Sequence, residues 1–172
     1  MTNTRSRIRD CISRNPGIHF NDITRELDIA TGQTQYHLRK LTRAGHLDKE
    51  SIAGRTHYYP PTYSAWEREV IALLRRETTR ELVLFLLRND ATPPEELAAQ
   101  LDLARSTVEW HLSRLTEHDI VRKEPMDADD TRIVVTLPEK EAIYRLLREI
   151  EPHLLDRLVD RFSRLTDDLL DE

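Results

Sequence analysis

The sequence is poor in cysteine, glycine, lysine and long apolar runs. Cys11 is the single cysteine in 172 residues, so no intrachain disulfide can form and no cysteine-based zinc ligand set is available. Only four glycines occur, and no glycine-rich phosphate loop is present. The longest aliphatic run, Leu82 to Leu87, is far short of the ~20 residues that span a bilayer, and the polar first thirty residues hold no apolar signal segment. A soluble, cytoplasmic protein without membrane contact is the expectation, either in a reducing interior or simply indifferent to redox. Nucleophile elbows are absent too, and the carboxylates are scattered along polar helix faces. The chain therefore reads as a non-enzyme, and no cofactor is implied. Lysine is outnumbered by arginine 4 to 22 in an acidic chain of net charge -5, a bias that points to a high-salt or GC-rich source.

What is present is a repeat. At an offset of 74, Leu27-Asp28-Ile29-Ala30 recurs as Leu101-Asp102-Leu103-Ala104, and Tyr36-His37-Leu38-Arg39-Lys40-Leu41-Thr42 recurs as Trp110-His111-Leu112-Ser113-Arg114-Leu115-Thr116. Seven of the twenty-one positions from 27 to 47 are identical in 101 to 121, several times the chance level, so one fold unit occurs twice. The first copy reads as a helix over 5–14 ended by Pro16-Gly17, a short extended stretch at 18–20, a helix over 22–27 capped by Asn21, and a third helix over 31–44 stopped by Gly45. Thr34, His37, Leu38 and Leu41 form the inward face of that third helix. Strands at 47–51 and 56–59 flank a turn at Ala53-Gly54-Arg55. The second copy has helices near 79–89, 93–101 and 105–118 and strands at 120–124 and 132–137. Thr78-x-x-Glu81 and Thr92-x-x-Glu95 read as capping boxes there, and Ser64-x-x-Glu67 as the box that opens a connecting helix over 65–77.

The fold class that follows is mostly α with small β-hairpin wings: two tandem winged helix-turn-helix domains and a C-terminal helical tail. The expected boundaries are 1–62, 63–137 and 138–172. In the tail, Ile143, Leu147, Ile150, Leu154, Leu158, Phe162, Leu165 and Leu169 recur every three to four residues as one apolar stripe, with Pro152 expected to kink it. That stripe either packs on its own chain or forms a homodimer interface.

The repeated Leu-Asp-x-Ala and His-Leu-x-x-Leu segments resemble the helix-turn-helix core of ArsR- and MarR-type regulators. Their pairing, with Gly54-Arg55-Thr56-His57-Tyr58-Tyr59-Pro60 closing the first wing, is similar to archaeal regulators carrying two winged-helix domains. The resemblance covers about residues 5–137 and implies a predicted transcriptional regulator that binds double-stranded DNA, with no known effector.

Charge divides along the chain in the same sense. Residues 1–62 hold ten Lys/Arg against six Asp/Glu, residues 63–137 ten against fifteen, and residues 138–172 six against ten. A basic first unit is where a polyanion would bind. On its third helix, Thr31, Gln33, Gln35, Tyr36, Arg39, Lys40 and Arg43 are free of core duty, and Arg55 marks the wing tip. Gln and Thr suit base edges, and the cations suit phosphates. The second unit offers Arg105, Ser106, Thr107, Trp110 and Arg114, but Glu109 and the acidic wing at Asp127, Asp129 and Asp130 oppose a duplex. It either binds DNA as a second site or serves dimerisation or a partner. A protein-interaction scaffold that docks on transcription or replication machinery is the alternative for the whole chain. Tyr58, Tyr59, Tyr63 and Trp66 form either a packed junction or a pocket for a small-molecule effector, and an effector protein is equally open. His37 and His111 occupy matched core positions, and no histidine spacing favours a metal.

Overall fold

The computed structural model describes residues 3–127 and 131–150. The first unit runs α1 (Thr4–Arg14), β1 (Ile18–His19), α2 (Phe20–Leu27), α3 (Thr31–Arg43), β2 (Asp48–Ile52) and β3 (Arg55–Tyr59). Helix α4 (Ala65–Leu74) follows. The second unit runs α5 (Glu77–Arg88), α6 (Pro94–Gln100), α7 (Arg105–Glu117), β4 (Arg122–Pro125) and β5 (Ile133–Thr136), and α8 (Lys140–Ile150) follows. Three helices and a hairpin, twice, is the winged helix-turn-helix arrangement.

The repeat reaches into the backbone. Asp28 and Asp102, at matched positions, both turn the chain with positive φ (50° and 51°), as do Gly45 (69°) and Asp119 (55°). The amide of Ile29 bonds the Thr24 carbonyl, and that of Leu103 the Ala98 carbonyl; His46 to Leu41 is repeated by Ile120 to Leu115. These bonds close the ends of the second and third helices in both units. In the first unit β1 adds a third strand, with order β1-β3-β2 and Ile18 opposite Tyr58. In the second unit this strand shrinks to one bridge, Thr92 opposite Val135. Thr92 donates its amide to Val135 and accepts back from it (3.1 and 2.8 Å).

That bridge explains one departure from the expected caps. Thr92 is buried in the sheet, so Pro93 becomes the N-cap of α6 and Pro94 its first residue, and no Thr92–Glu95 box forms. Nor does Thr78 cap α5. Only two residues separate α4 from α5, so α5 begins already at Glu77, with Arg76 at the cap position and no side-chain bond to the helix end. Asn21 is likewise not a cap: the β1 pairing ends at His19, which serves as the N-cap, and α2 starts at Phe20. The Ser64–Glu67 box is present in full. The first hairpin turn has two residues, Ala53 and Gly54, both at positive φ (50° and 78°). This is the mirror-image turn that matches strand twist, and it places Arg55 in β3 rather than in the turn.

Two cores form. Ile8, Cys11, Ile12, Ile18, Ile23, Leu27, Ile29, Leu38, Leu41 and Leu47 fill the first unit. The second, larger core joins α4, α5, α7 and α8 with Tyr59 of the first wing. Ile143 and Leu147, expected as dimer contacts, lie in this core at 0% and 1% exposure, with Ile150 packed against it. Their own chain covers them, because α8 lies along α4, so the intrachain alternative holds for this part of the stripe. Leu154, Leu158, Phe162, Leu165 and Leu169, with Pro152, lie outside the described residues.

The two units are tied at their seam. Arg68 on α4 donates to Glu50 Oε2 (2.7 Å) and Asp48 Oδ2 (3.1 Å) on β2, while Tyr59 Oη donates to the Arg68 carbonyl (2.9 Å). Arg75 Nε donates to the Pro16 carbonyl (2.8 Å). Gly17, at φ 79°, passes so close to α4 that a Cβ would sit 2.7 Å from Ile71 Cγ2. Tyr63 Oη donates to Glu149 Oε2 (2.6 Å), so Tyr59 and Tyr63 are engaged in packing and hydrogen bonds rather than lining an open pocket.

Candidate nucleic-acid interface

Helix α3 has two chemically distinct faces. Thr34, Leu38 and Leu41 turn inward at 0–5% exposure. Thr31, Gln33, Gln35, Tyr36, Arg39, Lys40 and Arg43 are exposed, as is Gly32. The helical period of 3.6 residues puts these on one continuous outer surface. No acidic residue lies in the first turn, and Lys40 and Arg43 stand in the last. His37 is half-buried rather than core; its Nδ1 accepts from Arg5 Nε (3.4 Å).

Arg39, Lys40, Arg43, Lys49 and Arg55 have no ion pair among the described residues. Lys40 lies over the Tyr36 ring at 5.6 Å, and Tyr36 is 52% exposed. Between α3 and the wing runs a groove of about 430 Å³ lined by Gln35, Arg39, Arg43, Lys49 and Tyr58. A further depression of about 360 Å³ between α1 and the end of α3 presents Arg5, Arg9, Lys40 and His46. Lys49, Arg5 and Arg9 escaped the sequence reading. The outward alternation of β2 would have pointed to Lys49, whereas the placement of α1 beside α3 is a tertiary fact.

The matching face of α7 is built alike but charged differently. Arg105 and Ser106 are exposed, Thr107 is half-buried, and Trp110 is 51% exposed, at the position equivalent to Tyr36. Arg114 lies over the Trp110 ring at 4.6 Å, as Lys40 does over Tyr36. Carboxylates, however, neutralise two of the neighbouring cations: Arg105 pairs with Glu95 (2.6 Å) and Lys123 with Glu109 (2.6 Å). His111 Nδ1 shares a hydrogen bond with Thr79 Oγ1 (3.0 Å), and burial, reinforced by the charges of Arg76 and Arg114, lowers its pKa.

Two other titratable groups are structural. Cys11 is fully buried, and burial with the Glu26 carboxylate beside it pushes the thiol up to about 11, so it stays protonated at neutral pH. His57 on β3 is 2% exposed, and burial lowers its pKa to about 4. Among the described residues no group of three or more His, Cys, Asp or Glu is arranged to hold a metal ion. No described helix is long and apolar enough to cross a membrane.

This architecture defines a protein with two tandem winged helix-turn-helix domains. Residues 2–71 match the family described as an N-terminal HTH domain, and residues 73–124 match the family described as a helix-turn-helix domain. An uncharacterized HTH-type transcriptional regulator of Methanocaldococcus jannaschii is 27% identical over 139 residues, which cover 81% of this chain and 34% of that relative. The chain thus spans about a third of the length of that protein. Among solved structures, a transcriptional regulator from Thermotoga maritima superposes with a TM-score of 0.41 at 21% identity, covering 62% of this chain and 82% of the other. Overoxidized AbfR bound to DNA superposes with a TM-score of 0.42 at 16% identity, covering 80% and 90%.

Proposed function

We propose that this protein is a sequence-specific DNA-binding transcriptional regulator whose first unit is the reader. In this reading α3 enters the major groove, with Thr31, Gln33, Gln35 and Tyr36 facing base edges. Arg39, Lys40 and Arg43 hold phosphates, and Arg55 extends the contact from the wing. The observation that carries the reading is the cationic outer face of α3, without an ion pair among the described residues, beside the groove lined by Arg39, Arg43 and Lys49. Helix-turn-helix matches along both units and a regulator relative support the same class. A homodimer presenting two α3 helices to a near-palindrome is part of the proposal. It rests on the sequence stripe Leu154, Leu158, Phe162, Leu165 and Leu169.

Duplex selection from random-sequence DNA, followed by binding titrations over a salt series, tests this. A recovered motif should bind with a log–log salt slope that the triple change Arg39→Ala, Lys40→Ala, Arg43→Ala makes shallower by about 2.7, at about 0.9 per phosphate contact. Recovery of no motif, or an unchanged slope in the triple variant, overturns the assignment and leaves the scaffold alternative.

A further inference from the structure

Three guanidinium groups gather where the first wing meets the second unit. Arg76, between α4 and α5, donates from Nη2 to the carbonyl of Ala53 in the wing turn (3.1 Å). Arg55 follows that turn at the start of β3. From the other side, α7 docks on the beginning of α5 through the His111–Thr79 hydrogen bond (3.0 Å), three residues beyond Arg76. Arg114, three residues beyond His111 on the same helix, lies over the Trp110 ring at 4.6 Å. The charges of Arg114 and Arg55 both act on Arg76 and, after burial, lower its pKa.

None of the three has an ion pair among the described residues. Several other cations do have one. In the second unit Arg105, Lys123, Lys140 and Arg145 each meet a carboxylate at 2.5–2.6 Å. Like charges collected without a counter-charge repel one another in the free protein. An anion laid across them relieves that repulsion. The hydrogen bond to Ala53 and the Trp110 ring hold two of the guanidiniums in place, so little side-chain entropy remains to be lost on binding. Arg55 is exposed beside the wing turn, on the opposite face of the wing from Lys49 and Tyr58, which line the α3 groove, so the wing tip lies between the two.

We propose that Arg55, Arg76 and Arg114 form one phosphate-binding surface across both units, so that a duplex held on α3 continues over the first wing onto α7. The second unit then contributes to DNA binding through the backbone and not through base reading. This rests on α3 being the principal reader.

The test uses the full chain and a duplex recovered by selection. Binding is measured over a salt series for Arg55→Gln, Arg114→Gln and their double variant, with Arg39→Ala/Arg43→Ala as the reference and thermal melting as a check on folding. Arg76 is left intact because it also holds the wing turn. Each single change should make the salt slope shallower by about 0.9 and the double change by about 1.8. Lysine at either position should restore the slope, which a purely structural role on the Trp110 ring would not. Hydroxyl-radical footprints should lose protection on one flank only. A slope altered by Arg55→Gln but not by Arg114→Gln overturns the shared surface and leaves the wing acting alone. Slopes unchanged in both, with binding lost in the reference variant, overturn the proposal and keep α3 as reader. No change in any variant, the reference included, removes both.

Discussion

Replacing His57 with glutamine should flatten the acid limb of the stability curve. His57 is 2% exposed at the centre of β3. Its Nδ1 lies 2.8 Å from the Gly17 carbonyl. A carbonyl oxygen only accepts, so Nδ1 carries the proton of the neutral ring and Nε2 is bare. Nε2 is also buried with no hydrogen-bond partner. Protonating it places a charge where nothing accepts the new N–H, beside the His19 ring at 4.1 Å and under the positive charges of Arg75 and Arg76. Desolvation is the main cause that lowers the pKa from 6.5 to about 4, and the Gly17 bond opposes it only in part. The unfolded chain binds this proton near pH 6.5 and the folded chain near 4. The stability from a neutral His57 is therefore complete above 6.5 and falls as the pH drops through that window. The loss amounts to about 2 kcal/mol between pH 7 and pH 5, and about 3 kcal/mol by pH 4. Against a total of about 5–15 kcal/mol for a small domain, this is readily measured. Urea denaturation of both proteins at pH 7 and pH 5 isolates the effect, since every other titrating group is common to the two. The native chain should lose about 2 kcal/mol more than His57→Gln over this interval. Parallel losses would refute the reasoning.

Two further substitutions probe the seam between the units. Gly17→Ala combines a positive φ with a Cβ 2.7 Å from Ile71 Cγ2, and should cost about 2–4 kcal/mol, read as a lowered urea midpoint at unchanged slope. Ser64→Ala removes the hydroxyl that accepts from the Glu67 amide (3.2 Å) and should cost about 1 kcal/mol in thermal melting. It should leave DNA affinity unchanged at temperatures where the fold is intact.

The features legible in the sequence were those set by local chemistry. Leu27-Asp28 and Leu101-Asp102 mark the turn before each third helix because that turn needs a left-handed residue, which a short polar side chain tolerates. The inward face of α3 followed from helical period, and the exposed positions followed by subtraction. Caps were legible only where no tertiary demand competed. Ser64 had none and caps α4; Thr92 was taken by the bridge to Val135, and Thr78 lies inside a helix that α4 delivers already turned. The apolar stripe at Ile143 and Leu147 was legible as a stripe, but its destination was not, because a period says which face is buried and not against what. Charge at the seam was least legible, since Arg76 reaches the wing turn, and α7 docks on α5, only through tertiary packing.

The two units show that backbone and electrostatics are separable in this fold. Asp102 and Asp119 keep the turns of Asp28 and Gly45, and α7 keeps both the length of α3 and its aromatic–cation pair. A helix able to present side chains to a groove is therefore present twice. What differs is the answer to each cation. Glu95 and Glu109 sit within 2.6 Å of Arg105 and Lys123, whereas Arg39, Lys40 and Arg43 meet no carboxylate among the described residues. An internal ion pair must be broken and its carboxylate left beside a phosphate before such a cation can serve DNA, and that cost removes most of what the contact would contribute. Arg114 escapes this because its neighbour is the Trp110 ring and not a carboxylate, and its charge acts on Arg76, which holds the turn of the first wing. In the proposed function the division of labour therefore comes from pairing rather than from fold: α3 reads, and α7 adds backbone contact only where its charge was left unanswered.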